Sequence, residues 1–154
     1  MPIKTQRLAP FVVLLAAACG SKPTTPQGFA RIGLSVADRP LCAWDADTEA
    51  LRDRGLMDVG SMGRADAMVF RFNEPTDVAF YMYKTILPLT VVFVSAAGRV
   101  SDIVDMEPCP EVDASKCPLF RSRELYQTAV EVPKGKAASL GFSVGSAVDY
   151  RPKC

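Results

Sequence analysis

The sequence predicts an α+β domain that is predominantly β: a twisted antiparallel sheet that closes toward an open barrel, with two short helices. Three observations predict it. Several segments alternate apolar and polar residues, one segment is continuously apolar, and only two short stretches have a helical pattern that ends in glycine. About 125 residues follow a predicted leader and tether, which is enough for one core and too few for two.

The strands are predicted from a period of two and from turn residues. Residues 73–77, with Pro75, are expected to form a turn between the first two strands, and Ala97 and Gly98 are expected to form a hairpin turn between the next two. The predicted strands are "MVFRF" (68–72), "VAFYMY" (78–83), "LTVVFV" (89–94), "RVSDIVDM" (99–106) and "YQTAVEV" (126–132).

The two helices are predicted from their capping residues. The first covers "DTEALRDRG" (47–55), beginning at an Asp47 or Thr48 cap, and the second covers "KGKAASLG" (134–141). They end at Gly55 and Gly141, which suit a left-handed C-terminal cap.

Residues 1–18 have the order of a lipoprotein signal peptide. Lys4 and Arg7 precede an apolar segment of eleven residues, too short for a membrane span, and small residues lead to Cys19. This resembles a lipobox, in which Cys19 becomes the lipidated N-terminus, although Leu15 lies one place early. An ordinary cleaved signal or a buried helix is the alternative. Residues 19–28 read as the lipidated Cys and a flexible tether, followed by a single globular domain at 29–154. Gly20 and Ser21 favour the outer membrane if the source is Gram-negative.

Cysteine usage agrees with an exported protein, and the charge balance argues against a nucleic-acid partner. The mature chain would carry 16 basic and 17 acidic residues, a net charge of −1 that predicts no nucleic-acid partner. The four further cysteines allow three pairings, and we favour Cys109 with Cys117 and Cys42 with Cys154.

The absence of histidine restricts the chemistry. It excludes Ser-His and Cys-His dyads and histidine-ligated metals, and C-x₂-C spacing is also absent. No phosphate loop, dinucleotide-binding turn or nucleophile elbow is present. We therefore predict no metal, no cofactor and, on balance, no enzyme.

The order of several segments resembles a family. "DRGLM" (53–57), "MVFRF", "FYMYKTILPLTVVFV" (80–94), "MEPCP" (106–110) and "LGFSVGSAV" (140–148) are similar to the domain of unknown function numbered 192, over about residues 42–149. The resemblance implies a compact, β-rich domain often found on exported proteins, with no established activity.

The central block departs from the family pattern at three positions. Tyr83, Lys84 and Thr90 stand where relatives usually carry Lys, Asn and Asp, so a polar site of the family would be lost or rebuilt here. The positions that match the family are Arg54, Thr85, Pro88, Pro108 and Cys109.

The residues leave three functions open. The preferred one is a non-catalytic binding or accessory domain for a glycan, peptide or protein partner, with a ligand patch at Arg54, Tyr81, Tyr83 and Lys84. The second is a small envelope hydrolase that acts on cell-wall or polysaccharide substrates through Asp102, Asp105 or Glu107. It requires two carboxyl groups about 5 to 9.5 Å apart, one with a raised pKa. The third is a degenerate structural copy without ligand.

Overall fold

The computed structural model describes residues 24–154, which form seven strands, one α-helix and two 3₁₀ turns. The helix α1 spans Glu49–Arg54, and the 3₁₀ turns span Ala114–Lys116 and Ala138–Leu140. The strands are β1 (Ala30–Val36), β2 (Arg39–Ala46), β3 (Ala67–Thr76), β4 (Leu89–Val94), β5 (Val100–Met106), β6 (Tyr126–Pro133) and β7 (Val148–Arg151).

All seven strands belong to one sheet, in the order β5-β4-β6-β3-β2-β1-β7. The sheet is curled into a half-barrel, and its two edges meet at one end, where the Val100 amide donates to the Ser146 carbonyl and the Val148 amide to the Gly98 carbonyl. The prediction of a purely antiparallel sheet is wrong at one place, because β2 and β3 pair in parallel. The chain between them includes α1, and parallel neighbours need such a crossover.

Both faces of the sheet are covered by apolar side chains. On one face Met68, Phe70 and Phe93 belong to a cluster that also contains Phe80 and Met82 from the segment after β3. On the other face lies a second cluster, of aliphatic residues from β1 to β7, Ala137 and Phe142. A strand buried on both faces is apolar at nearly every position, which accounts for the run of β4, where Thr90 alone is polar.

Several predicted elements are confirmed. The strands at 68–72, 89–94, 99–106 and 126–132 are present with small changes at their ends, and the 97–98 hairpin turn joins β4 to β5. The first helix is capped by the Thr48 hydroxyl, which accepts from the Leu51 amide, and it ends at Gly55. Gly55 has φ 46° and ψ −131°, so its cap is not the left-handed one predicted, whereas Gly141 has φ 96° and is left-handed.

The predicted strand at 78–83 and the turn before it are wrong. Strand β3 continues to Thr76 through an irregular pairing with β6, a place where Pro75 is tolerated. Residues 78–83 then cross the face of the sheet with only single bridges, Phe80 with Phe120 and Tyr83 with Cys109. The alternation correctly places Phe80 and Met82 inward, but Val78, predicted on the same side, is 51% exposed. Alternation also does not require a neighbouring strand.

The second predicted helix is also too long. Only the 3₁₀ turn Ala138–Leu140 forms within 134–141, and Gly135, with φ 77°, interrupts any helix begun at Lys134. Strands β1, β2 and β7 are not among the predicted elements. The β1–β2 hairpin turns at Ala37 and Asp38, both with positive φ, and Ala37 is not a residue that predicts such a turn.

The signal peptide at 1–18 and the lipidated Cys19 lie outside the described residues. Of the predicted tether, residues 24–28 lie against the domain: Pro26 is buried, and the Thr24 carbonyl accepts from the amides of Gly60 and Ser61. Among residues 24–154, no helix has the length and apolar character needed to cross a membrane.

The structure joins Cys109 to Cys117 and Cys42 to Cys154, the two pairs favoured from the sequence. The first bond closes a short loop with a separation of 8 residues. The second has a separation of 112 residues and links β2 to the end of the chain after β7.

Candidate functional site

A cavity of about 300 Å³ opens between α1 and the segment that crosses the sheet after β3. Strand β6 supplies Glu131, and we name the space the Glu131 cavity. Charged residues of α1 and several aromatic rings share its lining. The lining residues are Glu49, Arg52, Asp53, Arg54, Gly55, Leu56, Met57, Phe70, Phe72, Val78, Ala79, Phe80, Tyr81, Thr85 and Glu131.

Glu131 is the buried ionisable group of this cavity. It lies on β6 between Met68 of β3 and Val91 of β4, both fully buried, and only 5% of its own surface is exposed. Within residues 24–154, no hydrogen bond contributes to the pKa of its carboxyl, and burial alone raises that pKa to about 8. No described side-chain oxygen is both fully buried and unpartnered, so the carboxyl oxygens keep some accessible surface. The carboxyl is therefore largely protonated at neutral pH and faces the cavity.

The aromatic walls form one connected cluster. Phe70 and Phe80 meet edge to face with ring centroids 5.1 Å apart, and Phe72 meets Tyr126 in the same way at 5.5 Å. The Tyr126 hydroxyl donates to the Val78 carbonyl over 2.6 Å. This bond fastens the start of the crossing segment to β6, so the cavity wall is attached to the same strand as Glu131.

The two arginines of the cavity rim are engaged by backbone carbonyls. Arg52 donates to the Arg71 carbonyl at 2.8 Å and its guanidinium lies over the Phe72 ring. Arg54 donates to the Gln27 carbonyl at 2.6 Å and lies over the Phe29 ring. Both guanidinium groups are thus held by contacts other than Glu131.

The structure brings together two of the four predicted ligand residues. Arg54 and Tyr81 line the Glu131 cavity, and Tyr81 is 37% exposed. Tyr83 and Lys84 do not line it. The Tyr83 hydroxyl reaches the Val112 carbonyl at 3.4 Å, and the Lys84 ammonium lies over the Tyr83 ring.

The three acids proposed for a hydrolase are held in separate local contacts, and none lines the Glu131 cavity. Asp102 pairs with Arg123 at 2.8 Å, and hydrogen bonds from Arg123 lower the pKa of Asp102. Asp105 accepts from the Thr90 hydroxyl, and Glu107 pairs with Lys134.

The described part of the chain contains no group of three or more Cys, Asp or Glu side chains suited to hold a metal ion. The four cysteines of this part are joined in disulfides. The arrangement offers a ligand an acid, aromatic rings and apolar walls.

Glu131 was missed because "YQTAVEV" reads as a half-buried strand with Gln127, Ala129 and Glu131 on the solvent side. Glu131 stands between Val130 and Val132 in the sequence, but only the structure shows that its neighbour is the apolar strand at 89–94. A sheet covered on both faces leaves no solvent side for β6.

A family model matches the part of the chain that contains this cavity. A model of the family DUF192, described as "Uncharacterized ACR", matches residues 33–150. The chain belongs to the DUF192 family. The match extends from β1 to β7 and includes every residue of the Glu131 cavity. No curated protein matches this DUF192 chain significantly.

Two crystal structures share the fold of this DUF192 domain. One, described as a "putative transcription regulator" from Sinorhizobium meliloti 1021, is 26% identical with a TM-score of 0.68 and covers 79% of this chain and 95% of its own. The other is a protein of unknown function from Novosphingobium aromaticivorans DSM 12444. It is 23% identical with a TM-score of 0.66, and the match covers 84% of this chain and 94% of that protein. At 23% identity, the second likeness concerns the fold alone.

Proposed function

We propose that this DUF192 domain is a non-catalytic binding domain of an exported lipoprotein, and that the Glu131 cavity is its ligand site. The ligand is a small molecule, or a group of comparable size projecting from a glycan, peptide or envelope protein. The observation that carries the proposal is a mostly apolar cavity with one buried polar group that has no protein partner among residues 24–154. Ligand sites combine apolar walls with a few polar groups in this way.

The size of the cavity supports a small ligand. About 300 Å³ lies at the lower end of the range of roughly 300 to 1,000 Å³ typical of small-molecule sites. Val78 and Tyr81, on the crossing segment, are exposed beside the opening and add apolar surface for a larger partner. A single side chain or sugar substituent would enter, while the rest of the partner would lie across the segment.

A thermal-shift screen with defined glycans, peptides and small metabolites tests the proposal. We expect at least one ligand to raise the melting temperature, because a ligand that binds only the folded state stabilises it by RT ln(1 + [L]/Kd), about 2.7 kcal/mol at 100 times Kd. The protein should be exported during production so that both disulfides form.

A pair of tyrosine variants locates the site. Tyr81→Ala is expected to weaken the shift, because Tyr81 lines the Glu131 cavity, whereas Tyr83→Ala on the same segment should leave it intact. A shift that Tyr83→Ala abolishes and Tyr81→Ala preserves would place binding elsewhere. A well-folded domain that binds none of the ligands would favour a structural copy without ligand.

The anchor is a separate part of the proposal. The leader pattern of residues 1–18 supports lipidation at Cys19 and a place in the cell envelope, at the outer membrane if the source is Gram-negative. We expect labelled palmitate to be incorporated into the wild-type protein and not into Cys19→Ser. Equal labelling of the two would contradict the anchor while leaving the cavity proposal untouched.

A nucleic-acid partner is not part of the proposal. The description of the Sinorhizobium meliloti relative points to transcription, but the predicted mature charge of −1 gives this chain no excess of basic groups to neutralise phosphates. A filter-binding assay at low salt should therefore detect no retention of duplex DNA.

A hydrolase remains the second candidate, now at different residues. Glu131 is a protonated carboxyl at neutral pH, and Glu49 and Asp53 line the same cavity, so a general acid and a second carboxylate are both available. The ligands found in the screen distinguish the two functions. Turnover that Glu131→Gln abolishes without abolishing binding would establish the enzyme.

A further inference from the structure

We propose that the ligand of the Glu131 cavity is an organic cation, a protonated amine on a short apolar or aromatic arm, and that Glu131 is its counter-ion. This inference rests on the proposed binding function and names the chemistry of the ligand. Three observations support the inference: the carboxyl is buried, it has no protein partner, and the cavity has aromatic walls.

The buried carboxyl lacks the partner that its ionised form requires. Glu131 is flanked by the apolar Met68 and Val91 on the neighbouring strands, and no group of residues 24–154 pairs with it. A buried carboxylate is unfavourable unless an opposite charge or hydrogen-bond donors accompany it. An ammonium group entering the cavity would supply both.

The aromatic walls suit the same group. Phe70, Phe72, Phe80 and Tyr81 line the same cavity as Glu131, and cations interact favourably with the faces of such rings. The Phe72 ring already carries the Arg52 guanidinium 4.9 Å from its centroid, so a cation at this wall has a precedent within the molecule.

The other charged groups of the cavity do not substitute for a ligand cation. They are Glu49, Arg52, Asp53 and Arg54, all on α1, and their charges cancel. Both arginines donate to backbone carbonyls, as described above, and the two acids form no ion pair within residues 24–154. The crossing segment and the flanking strands contribute uncharged residues only.

Binding of a cation has a distinct pH dependence. Glu131, with its pKa of about 8 in the free protein, must release its proton to solvent to become the counter-ion. The apparent affinity for a permanently charged amine therefore rises by about tenfold per pH unit below pH 8 and levels off above it. A neutral ligand that accepts a hydrogen bond from the protonated carboxyl would lose affinity above pH 8.

Three probes of similar size and different charge test the inference: phenethylamine, 2-phenylethanol and phenylacetate, titrated into the exported protein and followed by amide chemical shifts. We expect the amine to bind about tenfold more tightly than the alcohol at pH 8, and the anion most weakly. The amine preference should disappear in Glu131→Gln, which keeps the size of the side chain. Tyr81→Ala should also weaken amine binding, with Tyr83→Ala as the control.

The outcomes separate this inference from the proposed function. The cation site would be overturned if the alcohol or the anion bound as tightly as the amine or more tightly. It would also be overturned if the affinity for the amine did not change between pH 6 and pH 8. Either result would leave the proposed binding domain in place. Absence of binding by every probe and every ligand of the thermal-shift screen would overturn both. N-acetyl-lysine amide identifies the source of the cation. If it binds more tightly than phenethylamine, the site is assigned to a lysine of a peptide; if it binds more weakly, the site is assigned to a free amine. Both results support a cation.

Discussion

Replacing Cys42 and Cys154 by alanine is expected to lower the free energy of unfolding by about 4 kcal/mol. The bond joins residues 112 apart, so it removes much of the conformational freedom of the unfolded chain. It also holds the end of the chain beside β1, where Gly33 faces the backbone of Lys153 with no room for a side chain. Urea unfolding under non-reducing conditions measures the loss.

The second disulfide is the matched control. Replacing Cys109 and Cys117 by alanine opens a loop with a separation of only 8 residues, and loop-closure entropy predicts a loss smaller by about 2 kcal/mol. A loss equal to or larger than that of the Cys42–Cys154 variant would contradict this account. It would instead show that local packing around Cys117, which is buried, dominates.

The second large effect is a pH-dependent stability caused by Glu131. Its pKa is about 8 in the folded state and near 4.5 in the unfolded chain, so between these values the folded state holds the proton that the unfolded state has lost. The free energy of unfolding must therefore fall as pH rises through this window, by roughly 3 kcal/mol between pH 4.5 and pH 7, and level off above pH 8. In Glu131→Gln this contribution should be absent.

The measurement is a urea unfolding series from pH 4.5 to pH 9 for the two proteins. The chain has no histidine, so few other groups titrate inside the window. Glu49→Gln, at an exposed position of α1 on the same cavity, is the control and should follow the wild type. Parallel curves for wild type and Glu131→Gln between pH 5 and pH 8 would show that the Glu131 carboxyl is not desolvated.

Tyr81 and Tyr83 show how far periodicity predicts a site. Their alternation with Phe80 and Met82 correctly assigned an outward and an inward side, since neither tyrosine is buried while Phe80 and Met82 are. It could not assign a hydrogen-bonding partner, and the predicted strand is a crossing segment with single bridges. Of the two tyrosines, only Tyr81 lines the Glu131 cavity. Which tyrosine does so depends on where the crossing segment meets α1, and periodicity does not contain this.

The sequence by itself determined the local features: which residues alternate, where α1 begins and ends, the strands β4, β5 and β6 with the first half of β3, and membership of the DUF192 family through an ordered set of short motifs. These depend on residues close together in the chain. Four cysteines allow three disulfide pairings, and the spacing of the cysteines favoured one of them. The structure contains that preferred pairing.

Only the tertiary structure decided the strand order, the parallel pairing of β2 with β3, and the burial of Glu131. The pKa of that carboxyl depends on how much water it loses, and the groups that exclude water come from α1, from β3 and β4 and from the crossing segment. All of these lie far from Glu131 in the chain. A desolvation energy is a property of a three-dimensional environment, so no pattern within "YQTAVEV" could have contained it.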